Sequence, residues 1–249
     1  MKKSQSRKKY REFSGLVQWT RAFGLAFILF FLFIRPFLVQ AYHVPTGSME
    51  STLLVGDFLL VNKLAYGGTS AHKLPFTDFE LPHFRLPGYD TPEKGDIIVL
   101  EYPFDRSQDF VKRCVAVAGD TVEMRDKVLY INHLPQVEPY VQQLDAQTRR
   151  SENRLYSAST FAWQYDYMTA DRKKELKAGY RPTRDNFGPL FVPEGKYFCL
   201  GDNRDLSSDC RFWGFVDREL IKGRPMVIYF SWDSKHRLPR FARIGRIIQ

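Results

Sequence analysis

The chain has 249 residues, 44% hydrophobic, 26% charged and 15% aromatic. That is enough length and apolar content for one large or two modest folded domains, and it excludes disorder over most of the chain. The net charge of +9 would suit a nucleic-acid binder if it were evenly spread, but seven cations against Glu12 fall in the first 21 residues and leave only +3 for the rest. No nucleic-acid partner is expected.

Residues 1–15 form a basic tail ahead of an apolar run, the pattern of a cytoplasmic flank that sets membrane orientation. No charged residue occurs from Ala22 to Ile34, and Leu16 to Ile34 is 19 residues, close to the roughly 20 that cross a hydrocarbon core as a helix. Arg21 and Arg35 can snorkel at its ends, and Pro36 suits the exit. One transmembrane helix is expected over 16–36, with the tail inside and residues 40–249 outside the cytoplasm. A cleavable leader also has a basic start and an apolar middle, but no small-x-small site follows this run cleanly.

Beyond it the sequence is predominantly β. Gly-Asp pairs at 56–57, 95–96, 119–120 and 201–202 adjoin short β-branched or aromatic runs. Asp57–Val61, Asp96–Tyr102, Phe110–Val117, Lys196–Leu200 and Met226–Trp232 all read as strands. Thr121–Ile131 reads as a hairpin turning at Arg125–Lys127. Residues 66–93, with Gly67-Gly68 and four prolines, read as a long surface excursion. One surface helix is expected over Thr169–Gly179, which has a capping candidate, good helix formers and a closing glycine. Residues 40–123 and 191–249 are expected to form one β core, with 124–190 inserted as a second β-rich lobe.

Three segments carry candidate chemistry. In Tyr42-His-Val-Pro-Thr-Gly-Ser-Met-Glu-Ser-Thr-Leu53, Val44-Pro45 enforces extended backbone and Thr46-Gly47 supplies a turn that can expose Ser48. The segment lacks a G-x-S-x-G elbow, and His43 lies an odd number of residues from Ser48, so a Ser-His pair is not expected. In Asp109-Phe-Val-Lys-Arg-Cys114 the strand period places Phe110, Lys112 and Cys114 on one face. A lysine between a phenyl ring and a thiol is partly desolvated, which lowers its pKa and makes it a candidate base for a serine nucleophile. An edge-strand lysine that discourages aggregation is the plainer reading of that segment alone. In Gly201-Asp-Asn-Arg-Asp-Leu-Ser-Ser-Asp-Cys-Arg211 the acidic spacing fails the calcium-loop pattern. Asp202, Arg204, Asp205, Asp209 and Arg211 are instead expected to pair among themselves and stiffen a loop that presents Ser207 or Ser208. Cys114, Cys199 and Cys210 show neither metal-ligand spacing nor C-x-x-C, so no metal and no cofactor is expected, and at most one disulfide is possible.

Read together, the anchor, Val44-Pro-Thr-Gly-Ser-Met49, Gly56-Asp57, Lys94-Gly-Asp96, Phe110-Val-Lys-Arg113 with Gly119-Asp120, Gly201-Asp-Asn-Arg-Asp205 and Ser208-Asp-Cys-Arg-Phe-Trp-Gly214 resemble, in order, the bacterial type I signal peptidases. The resemblance covers about residues 20–122 and 188–248. It implies a signal peptidase/LexA-like β catalytic domain in which Ser48 is the nucleophile and Lys112 the general base. The Ser48 N–H and the Thr46 hydroxyl would hold the oxyanion. Ser207 would hydrogen-bond the lysine, with Gly201 and the Asp209–Arg211 pair in support. Tyr42, Val44, Pro45, Met49, Leu53, Asp109, Phe110 and Val111 match substrate-binding positions. The implied substrates are secretory preproteins whose signal peptides carry small residues at the first and third positions before the cut, bound as an added strand at the outer face of the cytoplasmic (inner) membrane, with phospholipid as a further partner. Ser51, Leu206 and Cys210 depart from the family's usual proline, asparagine and serine. A dedicated or self-processing Ser/Lys protease, as in LexA-like repressors, and a catalytically silent tethered peptide-binding protein are the alternatives.

Overall fold

A computed structural model describes residues 17–69, 84–147, 158–177 and 181–249. The basic tail lies outside the described residues, as does half of the proline-rich excursion, residues 70–83. Helix α1 covers residues 17–29 and passes directly into a wider π-type winding over Phe30–Leu38, which ends where the Val39 N–H bonds the Ile34 carbonyl. The helical apolar segment is therefore present but not uniform, and among the described residues no helix is by itself long and apolar enough to cross a membrane.

The body is mostly β. A large antiparallel sheet contains β1 (Val39–His43), β2 (Asp57–Asn62), β3 (Ile97–Tyr102), β4 (Asp105–Ala116), β9 (Lys196–Leu200), β10 (Val216–Asp217), β11 (Ile221–Asp233) and β12 (Leu238–Pro239). Their order is β1-β2-β11-β3-β4-β9-β10, with β12 on β11. A smaller sheet has the order β7-β6-β5-β8, from β5 (Thr121–Arg125), β6 (Val128–Ile131), β7 (Leu134–Pro135) and β8 (Phe187–Phe191). The strands expected from the β-branched runs are all present. The β5–β6 hairpin turns at Asp126-Lys127, both at positive φ (46° and 70°), as a two-residue loop that follows the sheet's twist requires.

Helices outside the apolar segment are short: α2 (Gln164–Tyr167), α3 (Ala170–Lys177) and α4 (Cys210–Trp213). The expected surface helix is α3, whose first turn carries Asp171 and whose Lys173 N–H bonds the Thr169 carbonyl.

Two groups of buried side chains hold the body together. The larger runs through both sheets, taking Ile98, Leu100 and Phe198 from one and Val122, Met124, Phe187 and Leu190 from the other. The smaller gathers Val44, Met49, Leu53, Leu59, Val61, Ile97, Val99 and Ile228, with Tyr42 and Val111 packed against it, and forms the floor beneath Ser48.

Candidate active site

Ser48 sits in the 3-10 turn Gly47–Met49, which follows β1 and the extended residue Thr46. Its amide precedes the turn's own hydrogen bonds and so is not consumed by them. The turn is held from both sides. Met49 and Leu53 are buried in the smaller core, and the Ser48 carbonyl accepts from the Asn203 N–H at 3.1 Å. Opposite, β4 brings in Lys112, whose Nζ lies 2.8 Å from Ser48 Oγ and 3.1 Å from the Val111 carbonyl. Phe110, on the same strand face, covers the ammonium with its ring centroid 5.1 Å away.

The electrostatics follow from burial. Lys112 is 3% exposed and has no carboxylate within ion-pair distance among the described residues, so desolvation lowers its pKa from 10.5 to about 8, with Asp209 opposing the shift. Asp209 is itself buried, which would raise its pKa, but Arg211 outweighs that and holds it low. The pair is bidentate, Nε to Oδ1 at 2.8 Å and Nη2 to Oδ2 at 2.9 Å, and the second carboxylate oxygen also accepts the Gly201 N–H.

The loop from 201 to 209 is not stiffened as the sequence suggested. Of its charged residues only Asp209 takes a partner from the same segment, Arg211 at the start of the helix that follows. Asp202 instead takes a bidentate contact from Arg113 of β4 (2.9 and 2.8 Å), Arg204 pairs with Glu138, and Asp205 with Lys127 and Arg184. Neighbours in a tight loop cannot easily turn their side chains toward one another, whereas strands packed alongside offer partners at full side-chain reach. Arg113 also stacks on Tyr140, 3.8 Å from its ring centroid, so residues 138–145 brace the loop, a role without any signal in the sequence.

Ser207 is buried and Ser208 exposed, which separates the two candidates. Ser207 Oγ lies against Gly201, where a Cβ would strike both it and the Ser48 carbonyl. The hydrogen bond from Lys112 to Ser207 is absent. The lysine's bonds go to Ser48 and Val111, and the Ser207 hydroxyl instead helps Arg211 hold the Asp209 carboxyl low.

A cleft of about 300 Å3 opens beside the pair. Of the expected substrate-binding residues, Tyr42, Val44, Pro45, Met49, Asp109, Phe110 and Val111 line it, and Thr46 stands at its wall. Leu53 does not line it but supports its floor. His43 and Gln108 also line the cleft and were not expected. His43 packs its ring at a tilt against Phe58, centroids 4.7 Å apart, rather than meeting Ser48. The cleft runs between two backbone edges. β1 ends the sheet, and β4 meets β9 only from Arg113 onward, which leaves residues 105–112 paired on the β3 side alone.

The family described as "Signal peptidase, peptidase S26" matches residues 16–232. Signal peptidase I of Pseudomonas fluorescens is 35% identical over 246 residues, 93% of this chain and 79% of that protein, and signal peptidase I of Aquifex aeolicus is 36% identical over 82% of this chain and 80% of that one. A solved signal peptidase I from Enterococcus faecalis is 31% identical, covering 54% of this chain and 97% of that chain with a TM-score of 0.35. The chain belongs to the signal peptidase family, peptidase S26.

Proposed function

We propose that the protein is a membrane-anchored endopeptidase in which Ser48 attacks and Lys112 moves the proton. Membership of the family makes it a serine peptidase of the signal peptidase I type, a hydrolase acting on signal peptides. The observation that supports the residue assignment is the 2.8 Å contact between Ser48 Oγ and a buried ammonium group that has no carboxylate partner among the described residues. A lysine that shed its proton near pH 8 is a base of suitable strength for a hydroxyl at that distance.

Neutral Lys112 takes the Ser48 proton as Oγ attacks the scissile carbonyl. The Ser48 N–H, with the Thr46 hydroxyl, receives the developing oxyanion. One such donor is commonly worth 100-fold or more in rate. The resulting ammonium then protonates the leaving amine, and water deacylates the Ser48 ester with Lys112 as base once more. Gly201, Ser207 and the Asp209–Arg211 pair support Lys112 and Ser48 from behind. The substrate lies as an added strand against the free edges of β1 and β4, its small first- and third-position side chains over Val44, Met49 and Val111. The apolar helical segment anchors the chain once across the cytoplasmic membrane with residues 1–15 inside, and the body works at the outer face in contact with phospholipid.

The test uses a purified preprotein with alanine at the first and third positions before the cut, offered in detergent to wild type, Ser48→Ala and Lys112→Ala. Cleavage after that alanine by wild type only, with both variants folded, is expected. An intact but bound preprotein with wild type would establish the silent-groove reading instead. No specific observation favours that reading or a self-processing one.

A further inference from the structure

The chain has three cysteines, and they converge from three elements: Cys114 on β4, Cys199 on β9 and Cys210 at the start of α4. All three are free thiols with no exposed surface. Cys114 and Cys199 face each other directly across the antiparallel pair. Both backbone groups of Cys114 are used on the other side, its N–H donating to the Asp96 carbonyl and its carbonyl accepting from the Gly95 N–H, each at 2.8 Å. Toward β9 it is therefore a non-hydrogen-bonded position, the kind in which opposed Cα atoms lie about 4.5 Å apart. That separation falls within the span a disulfide bridges. Cys210 reaches Cys199 from outside the strand pair, its sulfur 3.0 Å from the Cys199 N–H and its thiol, like that of Cys114, in hydrogen-bond contact with the Cys199 thiol.

We propose that Cys114 and Cys199 are a cross-strand disulfide site, joined during folding by a disulfide-bearing thiol oxidant, with Cys210 left as the free thiol. A thiolate of one cysteine attacks the oxidant's disulfide and forms a mixed disulfide. The second cysteine's thiolate displaces the oxidant, which leaves as a dithiol carrying the two protons the protein gave up. The timing follows from burial. In the folded chain desolvation, together with the neighbouring thiols, pushes the Cys199 pKa up, so little thiolate is present and no reagent reaches it. Oxidation must precede the docking of β9 on β4, and the finished bond is then closed to reductants. The closed loop runs from 114 to 199, and a long loop is where a cross-link restricts the unfolded chain most. The bond would also fasten the strand bearing Lys112 to the strand that leads into Gly201. Formation in the cell rests on the outward placement of the body proposed above.

The full chain, taken from membranes into acid, is denatured and its thiols tagged with a maleimide of known mass. A parallel sample is refolded in a glutathione redox buffer. One tagged thiol per chain is expected in both, with the untagged chain about 2 Da lighter than its reduced form and a peptide pair linking Cys114 to Cys199. Cys210→Ala keeps the link and Cys199→Ala abolishes it. Reductant added before unfolding-refolding cycles lowers the melting temperature of wild type and leaves the Cys114→Ala, Cys199→Ala double variant unmoved. Three tagged thiols after oxidative refolding, or a link that uses Cys210, overturn the proposal. Three in the membrane extract with one after refolding sustain the disulfide chemistry and overturn the outward placement instead.

Discussion

Lys112 sets two properties in opposite directions. Its burial depresses the pKa from 10.5 to about 8, and at roughly 1.4 kcal/mol per pH unit the protonated form is held in the folded protein at a cost of about 3 kcal/mol. Because the folded value lies below the unfolded one, the unfolded chain binds more protons between pH 8 and 10.5, and stability rises with pH across that window. Lys112→Met removes the buried charge at similar volume. It is expected to melt higher than wild type at pH 7, with the advantage shrinking as pH climbs from 8 to 10.5, while cleavage falls about 1,000-fold or more. Thermal melts in a pH series, each paired with a preprotein assay, check both halves. The same pKa shapes catalysis in wild type. The rate constant kcat/KM should rise tenfold per pH unit below about 8 and level off above it, because only the neutral amine accepts the Ser48 proton. A flat profile from pH 6 to 9 would remove Lys112 from the proton path.

At the level of elements, the site depends on a loop and a turn held in contact through very little material. Gly201 lies between the Ser48 carbonyl and Ser207, and a methyl group there meets both. Gly201→Ala is therefore expected to shift the Ser48 turn and to lower kcat about 100-fold with a smaller change in KM, since the β1 and β4 edges that flank the cleft are not in contact with Gly201. Asp202→Ala acts on the other anchor of the loop. It strands the Arg113 guanidinium, 4% exposed, and removes the acceptor of the Thr52 hydroxyl, for a loss of about 3–5 kcal/mol readable in a denaturant titration. How much of this the sequence disclosed depends on distance along the chain. Strands such as Ile97–Tyr102 and the Asp126-Lys127 turn were legible because β-branched runs and turn residues act locally. Ser48 and Lys112 stood out in sequence through the order of their segments along the chain, since each segment alone also reads as an ordinary turn or an edge strand, and the fold then places their side chains 2.8 Å apart. The bracing of Asp202 by Arg113 and Tyr140, and the lining of the cleft by His43 and Gln108, were not, because each arises from a pairing fixed only when distant strands come together. The loop's acidic and basic residues looked self-sufficient in sequence for the same reason.

At the scale of the molecule, the question is whether the two sheets are separable. β5 lies next to β8 although more than 60 residues intervene, and the strands enclose Val122, Met124, Phe187 and Leu190 in the same buried group as Ile98, Leu100 and Phe198 of the large sheet. A core shared in this way gives neither sheet a hydrophobic surface it can keep covered alone. Leu190 tests the consequence, because it is wholly buried in the small sheet and touches no part of the cleft. Leu190→Ala should cost about 2–5 kcal/mol, the range for a large-to-small change in a packed interior. If the sheets form one cooperative unit, that loss moves a single transition, and thermal loss of peptidase activity moves with it by the same number of degrees. A variant in which an early transition melts the small sheet while cleavage persists to the wild-type temperature would show two units, and residues 124–190 would then be an independent lobe mounted on the catalytic core.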